Sequence, residues 1–412
     1  MRIGILTYHC PPNFGAQLQA ISTVGYLKKA GHEPIVLNWY PQDLENMYGR
    51  RIPAEQAACH KDFTQEVLPV TEILRTEEQL ANKIDSLNLD GIVVGSDALF
   101  KYQPLSKRSH FSLKKLRIVK SNPLSVEDLP GNPFFGGFVS MLKKRIPVCA
   151  FSVSSQNCPY DDMNEEETQT MGSKLNNYSL ITVRDEWTKK MVEHVSKHSN
   201  VGITPDPVFS FNNNCYLEMP QKEEVLSRFG IPNNYVLISF WDHNINNEYI
   251  AKLAKSVRDR GLVPVALPMP ENLYSFGIEN VINLPLTPFD WYCLIKYSQG
   301  YIGERMHPIV SCLHNAVPFF SFDEYGVTKK NKFTRRISVN TKSSKTYLIL
   351  KEAGLLSNYY SYFNQESLPS TESVVDKIVS FDRDKCLQFS QKKRSEYAAN
   401  MEAVLNCIKN NQ

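Results

Sequence analysis

The chain has 412 residues, 42% of them hydrophobic and 22% charged, which is too many for one ordinary core and enough for two. A net charge of +3 carries no nucleic-acid signature, and no apolar run approaches the ~18 residues of a membrane span. The nine cysteines show neither CxxC nor paired Cys/His spacing, which argues against a zinc site or disulfide framework and fits a reducing cytosol.

The N-terminus, MRIGILTYH, enters a strand at once and lacks a signal layout, so a cytoplasmic protein is expected. Residues 2–7 form the short apolar run of a buried parallel strand. His9 stands at the end of that strand. Pro11-Pro12-Asn13-Phe14-Gly15-Ala16 then leads into a helical pattern over 17–30, and 34–39 reads as a second strand. This is a β-α-β opening without GxGxxG, so a dinucleotide fingerprint is absent. Asn13 and Gly15 read either as pocket residues at a strand's carboxyl edge or as a turn capping a helix.

Residues 91–95 form the next strand, ending in Ser96-Asp97. Asp97 reads as a helix N-cap or as a ligand group. Residues 101–120 contain Lys107, Arg108, Lys114 and Lys115 among other cations, with aromatics and no acid, inside an expected long loop over 100–133. Such a loop grips phosphates, lies on an anionic membrane face, or is a solvated insertion. Strands are expected at 146–155, 180–183 and 201–211, with a helix over 163–177. Arg184 stands at a strand end just before another helix.

The pattern restarts after Pro220. Strands are expected at 234–241, 262–267, 281–284, 300–303 and 318–322, with helices at 246–260 and 289–299. Alternation of this kind predicts an α/β fold with two Rossmann-like domains, parallel sheets and a cleft between them. The boundaries read as 1–215, 216–381 and a helical tail over 382–412 packed on the body.

The chemical centre is residues 300–330. Arg305 and His307 sit at a strand-to-helix turn, where free N–H groups and partial positive charge attract anions. The Arg adds a two-pronged anion clamp and the His a proton carrier near neutral pH. His314, further along the same helix, reads as structural.

With these residues laid out, the sequence resembles the polysaccharide pyruvyl transferase family. The resemblance rests on Asn13-Phe14-Gly15-Ala16, Gly95-Ser96-Asp97, Val183-Arg184-Asp185, Asp206-Pro207, Arg305-Met306-His307 and the Tyr325 to Lys330 element. It departs where Ala98-Leu99-Phe100 replaces Gln-x-Trp and Ala150-Phe151-Ser152 replaces Ala-Ser-Phe-Gly. The resemblance implies a fold like that of B-type glycosyltransferases. It also implies transfer of a pyruvyl group from phosphoenolpyruvate to a sugar of a bacterial surface glycan, leaving a pyruvate ketal. Arg184, Arg305 and Met306 would form the donor site, His307 the acid/base, and Lys329 or Lys330 a phosphate contact. His9, Asn13, Gly15, Ser96, Asp97 and the basic loop would form the acceptor side.

No cofactor or metal is expected, since Arg and Lys can neutralise the donor. The basic loop suggests an undecaprenyl-diphosphate-linked acceptor and peripheral membrane contact. The competing readings are a nucleotide-sugar glycosyltransferase of the same fold, with Glu304 or Asp323-Glu324 on a ribose, and a non-catalytic glycan-binding protein.

Overall fold

The structure is a computed structural model. It describes residues 1–112, 117–120, 132–241, 244–330, 337–363 and 367–411, without the side chains of 107–112, 117–120, 327–330 and 337–338. The first half contains β1 (Arg2–Leu6), α1 (Phe14–Lys29), β2 (Glu33–Val36), α2 (Gln42–Gly49), α3 (Ala54–Val67), α4 (Glu77–Leu87) and β3 (Gly91–Val94). It continues with α5 (Leu105–Arg108), β4 (Ser109–Ser112), β5 (Arg117–Lys120), β6 (Val148–Val153), α6 (Glu165–Leu175), β7 (Leu180–Val183), α7 (Glu186–Val195), β8 (Gly202–Ile203) and α8 (Phe211–Asn214).

The second half contains α9 (Lys222–Phe229), β9 (Tyr235–Ser239), α10 (Asn247–Asp259), β10 (Val263–Ala266), β11 (Asn280–Val281), α11 (Pro288–Lys296), β12 (Gly300–Gly303), α12 (Met306–Asn315) and β13 (Phe319–Asp323). The chain closes with β14 (Val327–Lys330), β15 (Ile337–Asn340), α13 (Lys345–Glu352), β16 (Tyr359–Ser361), α14 (Thr371–Val379) and α15 (Arg383–Asn410).

Two six-stranded sheets result, ordered β2-β1-β3-β6-β7-β8 and β11-β10-β9-β12-β13-β16. Every pairing within them is parallel. Their central strands are mostly apolar because both faces are covered by helices; β3, β6, β9 and β12 are buried at every residue.

The helix α1 joins the two halves. Asn13 caps it, its side chain accepting from Ala16 N at 3.2 Å, and nearly its whole circumference is buried. A helix buried all round must satisfy its polar side chains internally. Gln17 donates to Thr64 Oγ1 (2.9 Å), Gln19 to Asp206 Oδ2 (2.7 Å) and Ser22 to the Pro207 carbonyl (2.7 Å). One apolar cluster runs from Ile3, Leu18 and Val93 through α1 to Tyr235, Trp291 and Ile309. The long α15 returns to the first sheet. Tyr397 packs edge-on against Phe151 at 5.3 Å, and Ile408 fills the space beside Gly91.

Two expectations are corrected. The strand expected at 201–211 is only β8, followed by a 3-10 turn over Pro207–Ser210 and by α8. Pro205 and Pro207 cannot donate to a ladder, and Asp206 caps the turn, accepting from Val208 N at 3.0 Å. The expected loop over 100–133 contains α5 and an antiparallel hairpin, Ser109↔Lys120 to Ser112↔Arg117.

Candidate functional site

A cleft of about 810 Å³ lies between the two sheets. Its walls include the segments after β1 (Tyr8, Pro11 to Gly15), β3 (Asp97, Ala98, Lys101), β9 (Trp241) and β12 (Arg305, Met306, His307). Each sheet reverses its strand order between these pairs, β1/β3 and β9/β12. Such switch points at carboxyl edges are where open parallel sheets bind ligands.

His307 occupies the second position of α12 and lines the cleft. The Gln19 amide nitrogen lies 3.2 Å from His307 Nε2 while donating to Asp206 Oδ2 at 2.7 Å. An ionised carboxylate only accepts, so Asp206 turns the amide nitrogen toward both partners, and the ring meets it as an acceptor at Nε2. Burial lowers the His307 pKa, Asp97 and Asp206 oppose that shift, and Arg184 and Lys345 reinforce it.

Arg305 caps α12 with φ +74° and ψ 148°, a region that residues other than glycine seldom enter. Its guanidinium meets Glu271 at 3.0 Å and lies 4.3 Å from the centre of the Trp241 ring. These two contacts fix the cation at the cleft wall.

Arg184 does not line the cleft. Its side chain is buried, 3.2 Å from Asp206 and 3.9 Å from Asp97. It reaches the site through charge. Burial would raise the Asp97 pKa, but His307, Lys345 and Arg184 outweigh it and hold the carboxyl below its ordinary value. Asp97 lines the cleft with φ +90°. It caps no helix; its Oδ1 accepts from Ala98 N at 2.8 Å, so the N-cap reading is replaced.

The other expected residues divide. Asn13, Gly15 and Met306 line the cleft. His9 does not: it is buried, with Nδ1 3.0 Å from the Thr7 carbonyl and Nε2 3.3 Å from Asn38 Oδ1. Ser96 is also buried, and it is not among the cleft-lining residues. Lys107 and Arg108 belong to α5 and Lys329 and Lys330 to β14, but their side chains lie outside the described residues, as do Lys114 and Lys115 altogether. His314 is internal, accepting from Asn212 N at 3.1 Å.

Sequence reading missed Lys345, Gln19, Trp241 and Glu271. Lys345 lines the cleft and makes no ion pair within 4.0 Å among the described residues. Burial lowers its pKa, which Asp97 opposes and Arg184 reinforces. A signal existed: a lysine at the first position of α13 stands at the positive end of the helix dipole, where a cation gains nothing for the helix. Gln19 and Trp241 had no comparable signal, since each owes its place to a residue from the other half or from a distant loop.

A family model described as polysaccharide pyruvyl transferase matches residues 13–324. That span contains Asp97, Arg184, Arg305 and His307. The chain belongs to the polysaccharide pyruvyl transferase family. It is therefore a transferase acting on polysaccharide. No curated protein sequence matches it significantly.

Among solved structures, the chain resembles UGT89C1 of Arabidopsis thaliana in complex with quercetin, with TM-score 0.53, 9% identity and 99% of each chain covered. It also resembles a UDP-N-acetylglucosamine 2-epimerase from Rickettsia bellii, with TM-score 0.51, 11% identity, and 99% of this chain and 96% of that one covered. At such identities the likeness concerns the fold, that of B-type glycosyltransferases and related epimerases. No described helix is long and apolar enough to cross a membrane.

Proposed function

We propose that this family member transfers the pyruvyl unit of phosphoenolpyruvate to a sugar, forming a pyruvate ketal and releasing phosphate. The acceptor is a residue of a surface glycan or of its undecaprenyl-diphosphate-linked precursor, met at the inner face of the membrane. The observation that carries this reading is the family match over 13–324.

The chemistry of the cleft supports it. Phosphoenolpyruvate carries a carboxylate and a phosphate, and binding it against water takes converging cations. Arg305 and Lys345 line the cleft, and the start of α12 adds N–H groups and its dipole. Lys345 adds a cation for the phosphate to the expected contact by Lys329 or Lys330, whose side chains lie outside the described residues. A bound anion raises the depressed His307 pKa by favouring imidazolium.

His307 then delivers a proton to C3 while the first sugar hydroxyl attacks C2. The bond between C2 and the phosphate oxygen breaks, and the second hydroxyl closes the ketal. Of the two hydroxyl protons, one balances that given to C3 and the other leaves with phosphate.

The nucleotide-sugar alternative requires a free acid for the ribose. Glu304 is buried and accepts from Trp241 N at 2.9 Å and Asn244 Nδ2 at 3.0 Å. Asp323 is likewise engaged by Tyr325 N, Ser344 and Tyr359. The deciding experiment measures phosphate release with glycan acceptors: it should require both phosphoenolpyruvate and His307. Consumption of UDP- or GDP-sugars with phosphoenolpyruvate ignored would replace this reading with the alternative.

A further inference from the structure

The segment that follows β6 has no role in the donor chemistry, yet it forms part of the cleft wall through Gln156 and Asn157. Cys158 N donates to the Ser155 carbonyl at 3.1 Å, closing a four-residue turn. Both central residues have positive φ, 46° at Gln156 and 59° at Asn157. Turns of this hand ordinarily connect hairpin strands and are filled by Gly, Asn or Asp. Here the turn joins a parallel strand to a helix, and a glutamine occupies the first central position. The usual reason for the conformation is therefore missing.

The fold holds this turn firmly. Ser155 N donates to Thr188 Oγ1 (2.9 Å), Ser154 Oγ to Asp185 Oδ2 (2.9 Å) and Trp187 Nε1 to the Cys158 carbonyl (2.8 Å). Unfavourable backbone persists only where its surroundings over-determine it, and such places cluster at binding sites. A second observation points to a ligand. Asn157 Oδ1 is screened from solvent and accepts no hydrogen bond among the described residues, leaving an idle acceptor beside the cleft. Buried polar atoms without partners are rare and call for an explanation.

The neighbourhood identifies the ligand class. Ser154 N donates to the Asp97 carbonyl at 2.8 Å, which ties this segment to the acid that couples electrically to His307. Arg305 and Lys345, the cations assigned to the donor, come from the second half of the chain. Two neutral amides, each both donor and acceptor, suit hydroxyl groups, which also donate and accept, and a carboxamide can hold two neighbouring hydroxyls at once. A cleft of about 810 Å³ is of the size that encloses a ligand well beyond a three-carbon donor.

We propose that Gln156 and Asn157 form the acceptor-sugar subsite, reading hydroxyls of a pyranoside beside Asp97. The assignment rests on the pyruvyl transfer reading for the sugar's role, and its test separates the two.

Asn157→Gly and Gln156→Gly are the informative variants, because glycine adopts positive φ freely and keeps the turn. A purely structural turn would tolerate or gain from either change. Binding of the methyl pyranosides of galactose, glucose and mannose is followed by saturation-transfer NMR, with phosphoenolpyruvate titrated in parallel and Tm recorded. The expected result is that at least one pyranoside binds the unmodified protein and that each variant weakens it tenfold or more. Phosphoenolpyruvate affinity should stay within twofold and Tm should be equal or higher. Variants that bind the sugar normally, or an unmodified protein that binds none of the three, overturn the subsite. Sugar binding lost in the variants while the unmodified protein ignores phosphoenolpyruvate upholds the subsite and removes the donor reading.

Discussion

Gly15 and His307, from opposite halves of the chain, are packed so closely that a Cβ on Gly15 would lie 2.0 Å from His307 Cγ. The start of α1 therefore sets where the imidazole sits. Gly15→Ala should push the starts of α1 and α12 apart, because His307 Cβ, which cannot rotate away, would lie 2.5 Å from the new methyl. It should lower kcat by about 100-fold, the order expected from displacing a reacting group by ~1 Å. Near-normal turnover in Gly15→Ala would contradict this role for the contact.

Arg305 is held by Glu271 in a partly exposed ion pair. A donor carboxylate or phosphate must compete with that pair, which at such exposure is weak. Glu271→Gln should tighten phosphoenolpyruvate binding by about 3- to 10-fold while Trp241 keeps the guanidinium in place. Calorimetric titration reads the change, and weaker binding would mean that Glu271 positions Arg305 rather than occupying it.

Lys345 and Asp97 pull the His307 pKa in opposite directions. Lys345→Met should raise the apparent pKa in the pH profile of kcat/KM, and Asp97→Asn should lower it. Loss of one charged contact to phosphate should also raise KM for phosphoenolpyruvate about 10- to 100-fold in Lys345→Met. Profiles that stay fixed, or move the other way, would place Lys345 outside the site.

The parallel strands were legible because doubly buried strands are continuous apolar runs, and Arg305 and His307 because they share one turn. Gln19 and Trp241 were not, because their significance exists only once α1 and the end of β9 meet the start of α12, and Lys345 carried only the signal of a cation at the start of a helix. His9 was misjudged for a related reason. A strand-end histidine points to a ligand only if its ring faces out, and here Thr7 and Asn38 hold it inward. Asp206 was legible as part of a motif but not as the group that orients Gln19.

Four buried histidines tie stability to pH. Burial lowers the pKa of His9 and His307, and takes His60 to about 4 and His314 to about 3. The unfolded chain takes up these protons near pH ~6.5, so below that value it binds more protons than the folded state. Stability is full above pH ~6.5 and falls as pH drops toward 4, by up to about 1.4 kcal/mol per pH unit for each histidine still neutral when folded. Urea denaturation at pH 7, 6 and 5 measures the slope; a flat profile would mean that these rings are protonated in the folded protein.

The most direct test of the account is mass spectrometry of sugar acceptors incubated with phosphoenolpyruvate and either the unmodified protein or His307→Ala. The account predicts a mass gain corresponding to a pyruvate ketal, matched mole for mole by released phosphate, and its loss in His307→Ala. Ketal formed equally by the variant would contradict the assignment of His307. Acceptors left unmodified by phosphoenolpyruvate but extended by a nucleotide-sugar would contradict the account as a whole.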